Sequence, residues 1–256
     1  MLFFGLKANG MQMNNWIFVT GVPGSRWSGI AQYLSQHTSV DNSDCSEERM
    51  YKKWPIPGSL LTGVLHSGHY FGPGMEFGKL FEHMDKLHPT ELLNELKAPY
   101  TDTNYNQTRI LKSHQFAYHL DFIKETFPKS RIMLVYLDNN TSLKRWLRVG
   151  GFDITYPSYK WYVDEKTMVE KIEIENQCIL DFSKKHNIVL ELFNDEWIKT
   201  KLGWTISSSI SNYMADTKVG ILNSYNKEDT NIKFNTLKNI LNGDWIKYIH
   251  KTWKKP

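Results

Sequence analysis

Two hydrophobic periods take turns along the chain. Trp16-Ile17-Phe18-Val19 is a continuous apolar run, the pattern of a buried strand. Trp27, Ile30, Ala31 and Leu34 then recur at i, i+3, i+4 and i+7, the stripe of an amphipathic helix. Arg109-Ile110-Leu111-Lys112-Ser113-His114 reads as a second core strand ending in polar side chains, and Leu120, Ile123 and Phe127 mark a helix stopped by Pro128. Arg131 to Leu137 is the clearest strand, its near-continuous apolar run suiting a parallel strand covered on both faces. Leu143, Trp146 and Leu147 follow on a helix with Thr141 or Ser142 as N-cap, closed by Gly150-Gly151. Val169, Ile172, Ile179 and Phe182 predict a long helix to about Lys185, and Asn187 to Phe193 reads as the last parallel strand.

Between these elements, Trp54-Pro55-Ile56-Pro57-Gly58 predicts a rigid extended turn and Glu91 to Lys97 a short helix. Beyond Phe193 the pattern is one of helices and loops, with Phe234, Leu237, Ile240 and Leu241 facing one way. Strands alternating with helices predict an α/β fold, a central parallel sheet flanked by helices on both faces. No repeat or low-complexity linker divides the chain, so a single domain over residues 1–256 is expected.

The first strand runs into Gly21-Val22-Pro23-Gly24-Ser25-Arg26-Trp27-Ser28. A strand, a glycine-rich turn and a helix together aim backbone N–H groups and the positive end of a helix at an anion. Gly21 and Gly24 permit a tight turn, Ser25 and Ser28 supply hydroxyls, and Arg26 supplies a fixed positive fork. The strict G-x-x-x-x-G-K-[ST] pattern fails: laid on Gly21, it puts Arg26 at the second glycine and Trp27 at the lysine, keeping only Ser28. An ordinary tight strand-to-helix turn is the competing reading of this stretch.

Charge and composition narrow the ligand. Lysine and arginine number 31 against 27 aspartate and glutamate, a net +4 that suits a small anion and is too scattered for nucleic acid. An aromatic share of 14% predicts a ring-lined core or cleft; Tyr156, Tyr159, Trp161 and Tyr162 read as packing more than as an acceptor box. Cys45 and Cys178 show no pairing pattern, so a reducing compartment is expected. Neither the opening Met1 to Leu6 nor any later apolar run resembles a signal or a membrane span, giving a soluble, cytoplasmic expectation. His66, His69, His83 and His88 match no zinc spacing, so no metal is expected.

Four stretches taken in order resemble the sulfotransferase family. Gly21 to Ser28 is similar to that family's loop for the 5′-phosphosulfate of 3′-phosphoadenosine 5′-phosphosulfate (PAPS), commonly G-V-P-R-S-G-T-T. Arg109 to His114 resembles the R-I-I-K-T-H strand, whose histidine is the catalytic base. Val135-Tyr136-Leu137 resembles the V-Y-V strand leading to the 3′-phosphate site, and Lys238 with Gly243-Asp244-Trp245 resembles the R-K-G-x-x-G-D-W segment. The departures are specific. Gly24 stands at the loop's basic position, Arg26 at the following glycine and Trp27 at a threonine. Asn139 replaces the arginine after the V-Y-V strand, with Lys144, Arg145 and Arg148 as substitutes on the next helix, and Asn239 and Ile240 replace a lysine and a glycine.

The resemblance implies a three-layer, P-loop-like fold and a PAPS-dependent sulfuryl transfer to a hydroxyl or amine of a small molecule, sugar or peptide. His114 would be the base, Lys112 and Arg26 would offset leaving-group charge, and Gly21, Val22, Pro23, Gly24, Ser25, Arg26, Trp27, Ser28, Asn139 and Lys238 would hold PAPS. Sulfuryl transfer makes demands like those of phosphoryl transfer: an in-line acceptor, stabilised equatorial oxygens and a neutralised leaving phosphate. Each residue also has a structural reading: His114 as a strand-end hydrogen-bonding group, Lys112 as a side chain snorkelling along the strand end, Trp27 as core. The alternatives for the whole chain are a P-loop nucleotide or small-molecule kinase, with Asp138 as its Mg²⁺ carboxylate, and a degenerate member that binds nucleotide without turnover.

Overall fold

The computed structural model describes residues 15–43, 53–55, 62–64, 81–97, 100, 106–148 and 164–224. In chain order these form β1 (Trp16–Gly21), α1 (Trp27–Leu34), β2 (Lys53–Pro55), β3 (Thr62–Val64), a 3₁₀ helix (Phe81–Lys86), α2 (Pro89–Lys97), β4 (Arg109–Lys112), a 3₁₀ helix (His114–His119), α3 (Leu120–Thr126), β5 (Arg131–Tyr136), α4 (Asn139–Arg148), α5 (Glu165–Lys185), β6 (Glu191–Leu192), α6 (Asp195–Leu202), a 3₁₀ turn (Asn212–Met214) and β7 (Lys218–Leu222). Residues 225–256, which the single-domain expectation includes, lie outside the described residues. So do Lys238, Gly243-Asp244-Trp245, the aromatic stretch 152–162, Cys45, His66 and His69.

The fold is α/β, and the sheet is mixed. Its five strands run in the order β4-β1-β5-β7-β6. β1 pairs parallel with β4, Trp16 opposite Arg109 and Val19 opposite Lys112, and parallel with β5, Ile17 opposite Arg131 and Gly21 opposite Val135. β7 enters antiparallel between β5 and β6, which corrects the all-parallel expectation. The short Lys218-Val219-Gly220-Ile221-Leu222 segment lacks the apolar run of a central strand, which is why a helix-and-loop pattern was expected there. Of the strand expected at Asn187 to Phe193, only Glu191–Leu192 pairs, antiparallel with β7. Lys53–Pro55 pairs antiparallel with Thr62–Val64 in a separate two-stranded sheet, and residues 56–58 of the turn expected at Trp54 to Gly58 lie outside the described residues.

Successive residues of β1 face opposite ways, so each side of the sheet carries its own core. Trp16 and Phe18, with Leu111, Ile132 and Leu134, pack against Phe116, Leu120, Ile123 and Phe127 and against Ile179 and Phe182 of α5. Phe18 lies edge-on to Phe116, with ring centroids 5.4 Å apart, and stacks on Phe127 at 5.3 Å. Ile17 and Val19, with Ile110, Met133 and Val135, pack against α1 and against Trp197 and Ile198 of α6. Both faces are therefore covered by helices. α5 starts where Asp164 accepts the Thr167 N–H at 2.7 Å. α4 starts earlier than expected, because Asp138 Oδ1 accepts the Thr141 N–H at 2.9 Å and so displaces Thr141 and Ser142 as cap. That bond holds the Asp138 carboxyl below the usual carboxylate range. Among the described residues no helix is long and apolar enough to cross a membrane.

Candidate functional site

The helices after β1 and β4 leave the sheet on opposite faces: α1 joins the Ile17 side, α3 the Phe18 side. Ligands of open α/β sheets bind at the carboxyl ends of two such neighbouring strands. Gly21 to Ser28 forms the β1 lip of that edge and Ser113-His114 the β4 lip, with Gly21, Val22, Pro23, Ser25, Trp27, Ser113 and His114 all buried.

The β1 lip is a turn with defined chemistry. Ser25 N–H donates to Val22 O at 3.0 Å across Pro23 and Gly24, and Gly24 has φ +82°, the type II arrangement with proline then glycine at its centre. Gly24 admits no side chain on a second count, since a Cβ there would lie 1.9 Å from Ser142 O of α4. Gly21 is equally confined, its Cβ position being 2.7 Å from Ser25 Oγ and 2.8 Å from Val135 O. Arg26 follows in the left-handed region at φ 74°, where the resembling pattern has glycine. An L-residue there costs roughly 1–2 kcal/mol. Ser25 is fully buried, and its Oγ has no hydrogen-bond partner among the described residues. α1 opens with no side-chain cap and no acidic residue in its first turn. The amides of a first turn have no partners within their helix, so this end is suited to an anion.

Backbone and side-chain bonds tie the β4 lip to β1. Ser113 N–H donates to Val19 O at 3.1 Å, and Thr20 Oγ1 donates to His114 O at 3.2 Å. Ser113 Oγ accepts the Gln115 N–H and turns the chain into the 3₁₀ helix. The His114 ring then sits 6.4 Å from that of Trp27, the first residue of α1. Lys112 is 1% exposed, which removes the snorkelling reading, and His114 is equally buried. Trp27 packs in the α1 core and also borders the imidazole.

Pattern reasoning missed one member of this cluster. Glu175 of α5 is buried, and its Oε1 lies 3.0 Å from His114 Nδ1 and accepts from Tyr118 OH at a long 3.4 Å. Burial pushes the Glu175 carboxyl above its usual value, against the opposing pull of His114, Tyr118 and Lys171. Its signal was in the chain: Met168, Ile172, Glu175, Ile179 and Phe182 form the buried stripe of α5, and a carboxylate on that stripe requires a partner.

Other expected members stand elsewhere or are already engaged. Asn139 is exposed at the start of α4, where its Oδ1 accepts from Asn176 Nδ2 at 2.6 Å. Arg145 pairs with Asp216, while Lys144 and Arg148 are exposed. Among the described residues no group of three or more His, Cys, Asp or Glu side chains gathers where it could hold a metal ion. Comparison of the chain with protein families, with curated proteins and with solved structures finds no match.

Proposed function

We propose that the chain is a PAPS-dependent sulfuryl transferase on a three-layer, P-loop-like fold, acting on a hydroxyl or amine of a small molecule, sugar or peptide. One observation carries the reading: the His114 imidazole stands beside the first residue of α1, at the switch point where the glycine turn and the β4 terminus meet. The Ser25 hydroxyl, buried without a hydrogen-bond partner among the described residues, fits a ligand that supplies an acceptor oxygen.

PAPS supplies, when bound, a sulfuryl group carried on a phosphate leaving group. Ser25, Arg26, Ser28 and the first-turn amides of α1 would hold the phosphosulfate, with Gly21, Val22, Pro23 and Gly24 shaping the turn and Trp27 bordering it. His114 takes the proton that the acceptor loses as its oxygen or nitrogen bonds to sulfur. Arg26 and Lys112 offset the negative charge left on the phosphate as its bond to sulfur breaks. Asn139, and Lys238 in the part of the chain outside the described residues, are assigned to the 3′-phosphate by resemblance alone.

A second reading, nucleotide binding without turnover, draws on the Val22–Ser25 bond, which uses one turn amide internally. The kinase reading is disfavoured by Asp138, whose carboxylate is engaged as the cap of α4. Titration of the full chain with PAPS, and separately with ATP and Mg²⁺, tests the assignment. Tight, metal-independent PAPS binding with transfer to an acceptor panel is expected. Tighter ATP binding that requires Mg²⁺ would overturn it, and PAPS binding with no acceptor ever sulfated would favour the second reading.

A further inference from the structure

The His114–Glu175 contact has a chemical consequence beyond packing. A neutral imidazole carries one proton on two nitrogens, and the bond made by one nitrogen decides which of them keeps a lone pair. Here Nδ1 faces Glu175 Oε1 at 3.0 Å, inside a pair whose side chains are each 1% exposed. Oε1 also accepts from Tyr118 OH, and this second donor pulls together with His114 against the burial that raises the carboxyl. With the carboxylate as acceptor, the proton is fixed on Nδ1 and Nε2 is left as the basic nitrogen. The three groups come from two elements: His114 and Tyr118 from the 3₁₀ helix after β4, Glu175 from the middle of α5. Their alignment thus depends on the packing of α5 against that 3₁₀ helix.

We propose that Glu175 is a positioning residue, holding the His114 ring in the Nδ1–H tautomer so that Nε2 can accept the proton of the attacking group. This rests on the reading of His114 as base, and it deepens that reading by naming what orients the base. Glu175 itself need not touch either substrate. The same logic, an acid holding an imidazole in its working tautomer, operates where a histidine activates a nucleophile in acyl transfer.

The test uses the full chain, ¹⁵N-labelled on histidine, with the His114 signals among the nine histidines assigned by difference against H114A. Wild type should show a protonated Nδ1 and an unprotonated Nε2. E175Q keeps the shape but lets an amide N–H donate to Nδ1, so the tautomer should flip to Nε2–H. Its kcat should fall about 10²- to 10⁴-fold while KM for PAPS stays within about twofold. E175D, which keeps the charge, should recover part of kcat and the wild-type tautomer. An Nε2–H signature in wild type would overturn the proposal without any variant having to fold, as would an E175Q protein with unchanged tautomer and kcat. The two levels fail separately. Absent turnover with the Nδ1–H signature intact counts against the transferase reading, whereas turnover with an Nε2–H His114 counts against the role of Glu175.

Discussion

β4 carries a buried acid–base pair near each end, and the two pairs are satisfied in opposite ways. At its start, Arg109 Nε donates to Asp41 Oδ2 at 3.0 Å, the Ser43 N–H donates to Oδ1 at 3.0 Å, and the guanidinium lies 4.6 Å from the Tyr100 ring centre. Just past its end, Glu175 holds His114 and Tyr118 on one oxygen, while Oε2 is buried with no hydrogen-bond partner among the described residues. Burial raises both carboxyls. At Asp41 the bonds from Ser43 and Arg109 outweigh it and hold the group below the usual carboxylate range; at Glu175 burial wins and the group stays above it. The first pair is spent on holding the sheet together, with every acceptor oxygen engaged. The second stands past the β4 end that Thr20 ties to β1, and the turn after β1 holds a left-handed arginine and a serine whose hydroxyl has no hydrogen-bond partner among the described residues.

The largest effect should come from breaking the first pair. D41N leaves the Arg109 charge buried beside a neutral amide and should cost about 3–5 kcal/mol in urea unfolding at neutral pH. A loss below about 1 kcal/mol would show the pair to be dispensable. Next, G24A places a methyl group against the Ser142 carbonyl at positive φ and should cost about 2 kcal/mol in the same unfolding measurement.

The pH dependence of stability should then separate the two acids by sign. The folded value of Asp41 is depressed, so its contribution is present above about pH 4 and lost as pH falls through that depressed value. The folded value of Glu175 is raised, so its contribution is complete below the ordinary carboxylate value and lost as pH rises through the raised one. D41N should flatten the acid limb of a stability–pH curve and E175Q the slope above it; the reverse assignment would break the comparison. The smallest stability change belongs to R26G. Relief of the left-handed strain is offset by the freedom of glycine in the unfolded chain, so stability should move by less than about 1 kcal/mol. PAPS binding should nonetheless weaken about tenfold through the lost guanidinium.

Much of this architecture could be read from periodicity alone. β1, α1, β4, α3, β5, α4 and α5 announce themselves because each has a full stripe or run of apolar residues. The Gly21–Ser28 turn was legible because Gly21 and Gly24 permit a tight turn between an apolar run and a helical stripe. β7 was not, since an antiparallel strand of five residues is defined by the neighbours it reaches and not by its own composition. The N-cap of α4 went to Asp138 because its carboxylate reaches the Thr141 amide from one residue before the helix. The site divided in the same way. His114 and the turn were placed by local pattern, but their meeting depends on strand order, and Glu175 comes from 61 residues further on. A single charged position inside an apolar stripe was the one local sign of it.

On the proposed reaction, the His114 imidazole beside the first strand–helix unit removes the proton of a group that attacks sulfur. The most direct test of that step is to measure, on the same full-length H114A protein, the dissociation constant for PAPS and the rate of transfer from radiolabelled PAPS to an acceptor that wild type sulfates. A dissociation constant within about twofold of wild type and a rate lower by about 10²- to 10⁴-fold are expected. Transfer at the wild-type rate would contradict the proposal.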